Sequence, residues 1–224
     1  MKKNVLVVAF LLITTLSLTA CQQTDVIGGV AKTSFEDLIN AVPNQINADN
    51  ENGAWSLTAP DGTARFIWSL DSSKTTNNDV MIEFEAAPFI AAGLDTSKLP
   101  EGTFSEDKIK FGVELGNDEL EYSEDTTPIE SFEQLVDAYR ESFGYHSELD
   151  HYNVGLGNGN MFEWAKDIKT NDKDIVFVLN PQTFIDAGVN PDELEGWLYT
   201  SVKMMDANMK PVEEMKLLKV YNLQ

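Results

Sequence analysis

Across 224 residues the chain carries 37 acidic and 16 basic side chains, a formal charge of −21 at neutral pH, which argues against nucleic acid or anionic lipid as a partner. A single cysteine leaves no internal disulfide to form, and Arg65 and Arg140 are the only arginines available for planar recognition of phosphate or carboxylate groups. The plainest consequence of the acidity is a surface that stays soluble and resists self-association.

The first predicted element is a secretory signal. Residues 1–20 read MKKNVLVVAFLLITTLSLTA, two lysines followed by an uncharged stretch from Asn4. The stretch ends in Leu18-Thr19-Ala20-Cys21, which resembles the lipobox of bacterial lipoproteins. The resemblance implies cleavage before Cys21, acylation of its thiol with chains such as palmitate, and a lipid anchor on the extracytoplasmic face of the cell membrane. An uncleaved membrane helix and a plain signal with an incidental cysteine are the alternatives. Loss of Lys2 and Lys3 with a cleaved signal takes the charge to −23. Residues 21–33, from the anchor through the polar, glycine-bearing run QQTDVIGGVAKT, read as a tether.

Beyond the tether the sequence repeats itself. SFEDLINAV, from Ser34, returns as SFEQLVDAY from Ser131, and Phe66-Ile67-Trp68 returns as Phe162-Glu163-Trp164. DVMIEFEAAPFIAAGLDTSKL, from Asp79, returns as DIVFVLNPQTFIDAGVNPDEL from Asp174. The order is kept and the offset drifts only from 97 to 95 residues. This predicts a tandem duplication with units at residues 34–126 and 131–224, divided by the acidic run NDELEYSEDTT and Pro128.

Each unit opens with a predicted helix. Ser34 and Ser131 are expected as N-caps, with Phe35, Leu38 and Ile39, or Phe132, Leu135 and Val136, on one face. The acids Glu36, Asp37 and Glu133 then fall in the first turns. Pro43 should end the first helix near Val42, and Gly144 the second after Phe143. A hairpin follows: Trp55, Leu57 and Ala59 alternate into a turn at Pro60-Asp61-Gly62, and Ala64, Phe66, Trp68 and Leu70 return. In the second unit Tyr152, Val154 and Leu156 run into Asn158-Gly159, and Phe162 and Trp164 return. The next strand, Ile175 to Leu179, is apolar on both faces and should be buried on both, whereas Val80 to Phe84 carries Glu83 and should be wetter on one side.

The twin phrases PFIAAGLD and TFIDAGVN come next. They read as a short helix with Phe89 and Ile90 pointing inward, stopped at Gly93 or Gly188 and followed by a turn capped by Asp95 or Asn190. Closing strands run through Ile109 to Leu115 in the first unit, and through Leu198 to Met204 and Leu217 to Val220 in the second, which gains a hairpin around Asp206 to Lys210. The expected fold class is therefore α+β, a unit of one N-terminal helix, mostly antiparallel strands and a short helix, present twice. Two β-sandwich domains are the alternative.

Signatures of nucleophilic and phosphate chemistry are missing: there is no G-x-S-x-G, no H-E-x-x-H and no free thiol beyond Cys21. The glycine-rich run Gly155 to Gly159 reads as a hairpin turn. Both histidines, His146 and His151, lie in GYHSELDHYN with Tyr145, Asp150 and Tyr152. Imidazoles and a carboxylate are ligands for a divalent transition metal, so His146, His151 and Asp150 form a candidate metal set. On a helix the two rings would diverge by about 140°, so only a loop could bring them together. Trp68 and Trp164 occupy equivalent places and, with Tyr145 and Tyr152, could offer aromatic faces to a small ligand in a pocket between the units.

The function expected from these residues is a lipid-anchored, extracytoplasmic binding or accessory module serving a small ligand or a membrane-protein partner. A structural or adhesive envelope lipoprotein is the second reading. A metal-dependent enzyme built on the His146/His151 loop is the third, and no catalytic residue stands out.

Overall fold

The computed structural model describes residues 31–49, 53–69, 80–113, 126–147, 149–168, 173–205 and 210–223. The signal, Cys21, most of the tether, the acidic run up to residue 125 and residues 206–209, where the second unit's added hairpin is expected to turn, lie outside the described residues. Among those described, no helix is long and apolar enough to cross a membrane.

Two six-stranded antiparallel sheets account for most of the structure, with a few short helices. Helix α1 covers residues 31–41. It leads through a single turn at Pro43–Gln45 into β1 (Ile46–Asp49), β2 (Ala54–Thr58), β3 (Ala64–Ser69) and β4 (Val80–Glu85). Helix α2 (Ala87–Ala91) then gives way to β5 (Phe104–Ser105) and β6 (Lys108–Val113). The second half repeats the series: α3 (Pro128–Ala138), β7 (Phe143–His146), β8 (His151–Gly155), β9 (Met161–Ala165), β10 (Ile175–Leu179), α4 (Pro181–Asp186), β11 (Leu198–Met205) and β12 (Pro211–Tyr221). Strand order is β1-β2-β3-β4-β6-β5 in one sheet and β7-β8-β9-β10-β12-β11 in the other, so the two units share one topology.

Both helices start earlier than the serines suggest. Residues 31–33 are already helical, and α3 is capped by Thr127, which accepts from the Glu130 amide while the Glu130 carboxylate accepts from the Thr127 amide. This reciprocal pair satisfies two amides that the first turn would otherwise leave without partners. Ser34 and Ser131 therefore sit inside their helices, and Glu36, Asp37 and Glu133 in second turns. Helix α3 ends at Ala138, and Gly144 belongs to β7.

The inner serines are instead cross-braces. The Trp68 indole donates to Ser131 Oγ at 2.8 Å, and the Trp164 indole donates to Ser34 Oγ at 2.7 Å, each tryptophan reaching into the other unit. Each hydroxyl passes its own proton to the carbonyl three residues back, Pro128 or Ala31. A buried indole N–H needs such a partner, and here the partner comes from across the boundary.

The same exchange runs along the whole boundary. Phe35 stacks on Phe132 with ring centroids 3.5 Å apart, Phe66 stacks on Phe162 at 4.2 Å, and Phe89 meets Phe184 at 4.6 Å. One continuous hydrophobic core thus serves both sheets. In the twin phrases, Asp95 N–H donates to the Ala187 carbonyl and Asn190 N–H to the Ala92 carbonyl, both at 2.8 Å. Gly93 and Gly188 have φ of +103° and +101°, and a Cβ on either would lie 2.8 or 2.9 Å from the carbonyl oxygen of the other. Glycine is required there twice over, for its conformation and for the close approach of two backbones. Phe89 is buried, but Ile90 is 47% exposed, contrary to its expected inward direction.

Strand β10 is buried along its whole length, in keeping with its composition. Glu83 on β4 is buried rather than wet. The closing hairpin is present in both units and is enlarged, not newly gained, in the second: β5 has two residues and β11 eight.

Candidate functional site

Because the register is fixed, each sheet presents one face to the shared core and one away from it. On the second sheet Tyr152 pairs with Trp164 and both face the core, so His146, His151 and Glu163 alternate onto the outer face. His146 and His151 are directly opposite each other across the β7–β8 hairpin. A strand pair with a four-residue connection, not a loop, is what converges two histidines spaced five apart.

Glu163 stands between them. His146 Nδ1 is 3.3 Å from Glu163 Oε1, and His151 Nδ1 is 3.5 Å from Oε2. His151 is fully enclosed, and neither of its ring nitrogens makes a hydrogen bond, so its link to Glu163 is an electrostatic contact. Burial pushes the Glu163 carboxyl up, but the hydrogen bond from His146 and the charge attraction of both histidines outweigh it and hold the group below the ordinary carboxylate range. A buried carboxylate needs partners of this kind to remain ionised.

The β11–β12 hairpin closes over this cluster. Strand β12 pairs with β10 only through Leu217–Tyr221, and its first residues pair with β11 alone. The hairpin brings the Lys203 carbonyl oxygen to 3.1 Å from His146 Nε2, linking β11 to β7 although they are opposite edges of one sheet. Lys216, itself buried, donates to the Gly159 carbonyl at 3.3 Å and pairs with Glu214 at 2.8 Å.

The remaining candidates separate. Asp150 does not join the histidines: it accepts a hydrogen bond from Tyr145 and lies 3.8 Å from Lys166 Nζ at the exposed end of the hairpin. That hydrogen bond, with lesser help from burial and the Asp150 charge, pushes the Tyr145 hydroxyl up to about 12. Among the described residues no three His, Cys, Asp or Glu side chains are arranged to hold a metal ion, so the expected set of His146, His151 and Asp150 is not assembled. Trp68 and Trp164 are fully buried and hydrogen-bonded, and the space between the units where a pocket was expected is filled by their rings and by Phe35 and Phe132. Tyr152 is buried against Trp164 at 6.1 Å, which leaves Tyr145, 40% exposed, as the one accessible member of the aromatic set.

Glu163 does not figure among the sequence candidates, although its signal is present. It replaces Ile67 in the repeated Phe-x-Trp triplet, a carboxylate between two core aromatics in a strand. The buried Lys216 has no comparable signal, because its partner is a turn carbonyl.

In the first sheet the equivalent face carries a different cluster. Arg65 donates to Glu83 Oε1 through Nη2 at 2.8 Å and Nε at 3.1 Å, and Lys110 Nζ is 3.2 Å from Oε2. No protein-family model, curated protein or solved structure matches the chain.

Proposed function

We propose that the chain is a lipid-anchored, extracytoplasmic binding or accessory module, non-enzymatic, built by tandem duplication of one α+β unit over residues 34–126 and 131–224. The observation that carries this reading is the order Leu18-Thr19-Ala20-Cys21 behind an apolar leader, with only nine residues between Cys21 and the first described residue of α1. Ten peptide steps reach at most about 35 Å, so an acylated Cys21 keeps the folded units close to the bilayer, within range of a membrane-embedded partner. The duplicated core is occupied by its own aromatic side chains, which directs any working surface outward, to the faces on which the two sheets differ. The second sheet, with its hairpin and its His146–Glu163–His151 cluster, is the favoured face.

Intact-mass measurement on the membrane fraction tests the anchor: a diacyl or triacyl addition at Cys21 is expected, and an unmodified full-length chain would refute it. Cys21→Ser should move the protein out of the membrane fraction while leaving its thermal unfolding unchanged. Retention of that variant in the membrane would transfer the anchoring to the apolar leader.

A further inference from the structure

Three strands meet at His146, and the two atoms facing its ring nitrogens are both acceptors. One is Glu163 Oε1, 3.3 Å from Nδ1, and the other is the Lys203 carbonyl oxygen, 3.1 Å from Nε2. A peptide carbonyl has no proton to give, and an ionised carboxylate has none either. Glu163 is in that ionised form at neutral pH, because its carboxyl is held below the ordinary range despite its burial. A neutral imidazole carries one N–H and would leave one of the two acceptors facing a lone pair. The imidazolium carries two and satisfies both.

We propose that His146 is held as an imidazolium and acts as a pH-operated latch, fastening the β11–β12 hairpin across the outer face of the second sheet. The ring is joined to β9 through Glu163 and to β11 through Lys203, so its second proton is the part of the contact that binds the hairpin. When the ring gives up one proton, the N–H that remains is best used toward the charged carboxylate, and the Lys203 carbonyl is released. The sign follows from linkage: a cationic form favoured in the closed state contributes below the ordinary histidine range, near pH ~6.5, and is lost as pH rises through the titration of the closed form. The latch is closed on the acid side and released on the alkaline side.

The elements packed around the ring carry charged groups on four strands. Strand β8 contributes His151, which faces the other oxygen of the same carboxylate, and β9 contributes Glu163. Strand β11 contributes Lys203, with an exposed side chain, and β12 contributes Glu213, exposed and opposite Lys203 in register. Asp150 and Lys166 engage each other and Tyr145 at the hairpin end. The His146 side chain is 12% exposed, so its proton can exchange with solvent while the hairpin is in place. The latch concerns the hairpin alone and does not depend on the proposed binding role.

Two measurements on the full chain in detergent micelles test it. With only two histidines in the sequence, long-range nitrogen–proton NMR separates them readily. His146 should show both ring nitrogens protonated at about pH 5.5, where Glu163 is still ionised, and one at about pH 8.5. Amide exchange, corrected for its intrinsic pH dependence, should then show protection of residues 198–205 falling by about tenfold between those pH values, the effect of losing one charge-assisted hydrogen bond. β8 and β9 should hold their protection, and His146→Gln should abolish the pH dependence of the hairpin. A neutral His146 at pH 5.5, or a hairpin whose protection varies identically in the wild type and in His146→Gln, would overturn the proposal. The NMR arm uses the wild-type protein and remains decisive if the variant fails to fold.

Discussion

The two sheets share a strand order but answer the same electrostatic problem in opposite ways. Each carries a buried glutamate on its outer face. Around Glu83 the partners are Arg65 and Lys110, whose side chains are about a third exposed, 33% and 30%. Around Glu163 the partners are His146 and His151, 12% and 0% exposed, roofed by a hairpin whose counterpart in the first unit pairs through only two residues of β5. The first arrangement is a fixed brace whose cations can still be hydrated. The second is enclosed, titratable and tied to a hairpin that extends past its sheet. The difference teaches that what the halves have in common is architecture and what they hold separately is chemistry.

The strongest way to break that comparison is to show that the shared part is not shared. Phe35→Ala and Phe132→Ala each remove one ring of the stacked pair between the units, and each should cost about 3–5 kcal/mol in chemical denaturation. The two losses should agree within about 1 kcal/mol, since each ring also packs edge-on against both Trp68 and Trp164. Two separate unfolding transitions in either variant would mean that the core is divisible. Gly93→Ala and Gly188→Ala come next. Each forces a Cβ to within 2.8 or 2.9 Å of a carbonyl oxygen at a positive φ. A loss of about 2–4 kcal/mol from overpacking and backbone strain is expected at either site, and full tolerance of one would show that the two backbones do not meet there.

The glutamates sharpen the comparison. Glu163→Gln should cost about 2–3 kcal/mol at neutral pH, the range for a hydrogen bond to a charged group, because it strips the histidines of their counter-charge. The folded-state carboxyl is held low, so the Glu163 contribution is fully present above the ordinary carboxylate range, near ~4.3, and fades as pH falls through the lower folded value. The difference in stability between wild type and Glu163→Gln should also change between pH ~6 and ~8, where histidines titrate. The corresponding difference for Glu83→Gln should be flat across that interval, because its partners are an arginine and a lysine rather than histidines. A sloping profile for Glu83→Gln would remove the distinction between the two faces.

Much of the shared architecture is legible in the amino-acid sequence alone. The repeat, the hairpin turns, the doubly buried β10 and the caps at Asp95 and Asn190 follow from periodicity, turn residues and side-chain chemistry, all of which act within a few positions along the chain. Strands β1 and β7 are not legible in this way, since INAD and FGYH are only four residues each, too short for a period of two to distinguish a strand from a connection. Their pairing depends on neighbours already in the sheet. Ser34 and Ser131 mislead for a related reason. Serine before an apolar helical face looks like a cap locally, and only the indole arriving from the other unit reveals otherwise. The candidate site is half legible: the two histidines stand out, but their partner is disguised as one letter in a repeated triplet, and the Lys203 carbonyl belongs to a backbone that sequence patterns do not display.

The smallest expected effect probes the cross-brace itself. Ser131→Ala removes the acceptor of the Trp68 indole, and Ser34→Ala that of Trp164. Each should cost about 1 kcal/mol, the net worth of one hydrogen bond between neutral groups, with alanine slightly favouring the helix in return. The informative quantity is the double variant. Both serines lie against one aromatic cluster, so a loosening that starts at one indole makes the second loss cheaper, and the double variant should fall short of the sum by about 0.5 kcal/mol or more. Strict additivity would mean that the two braces sit in independent halves, and the pairing of the units through Phe35 and Phe132 would then need another account.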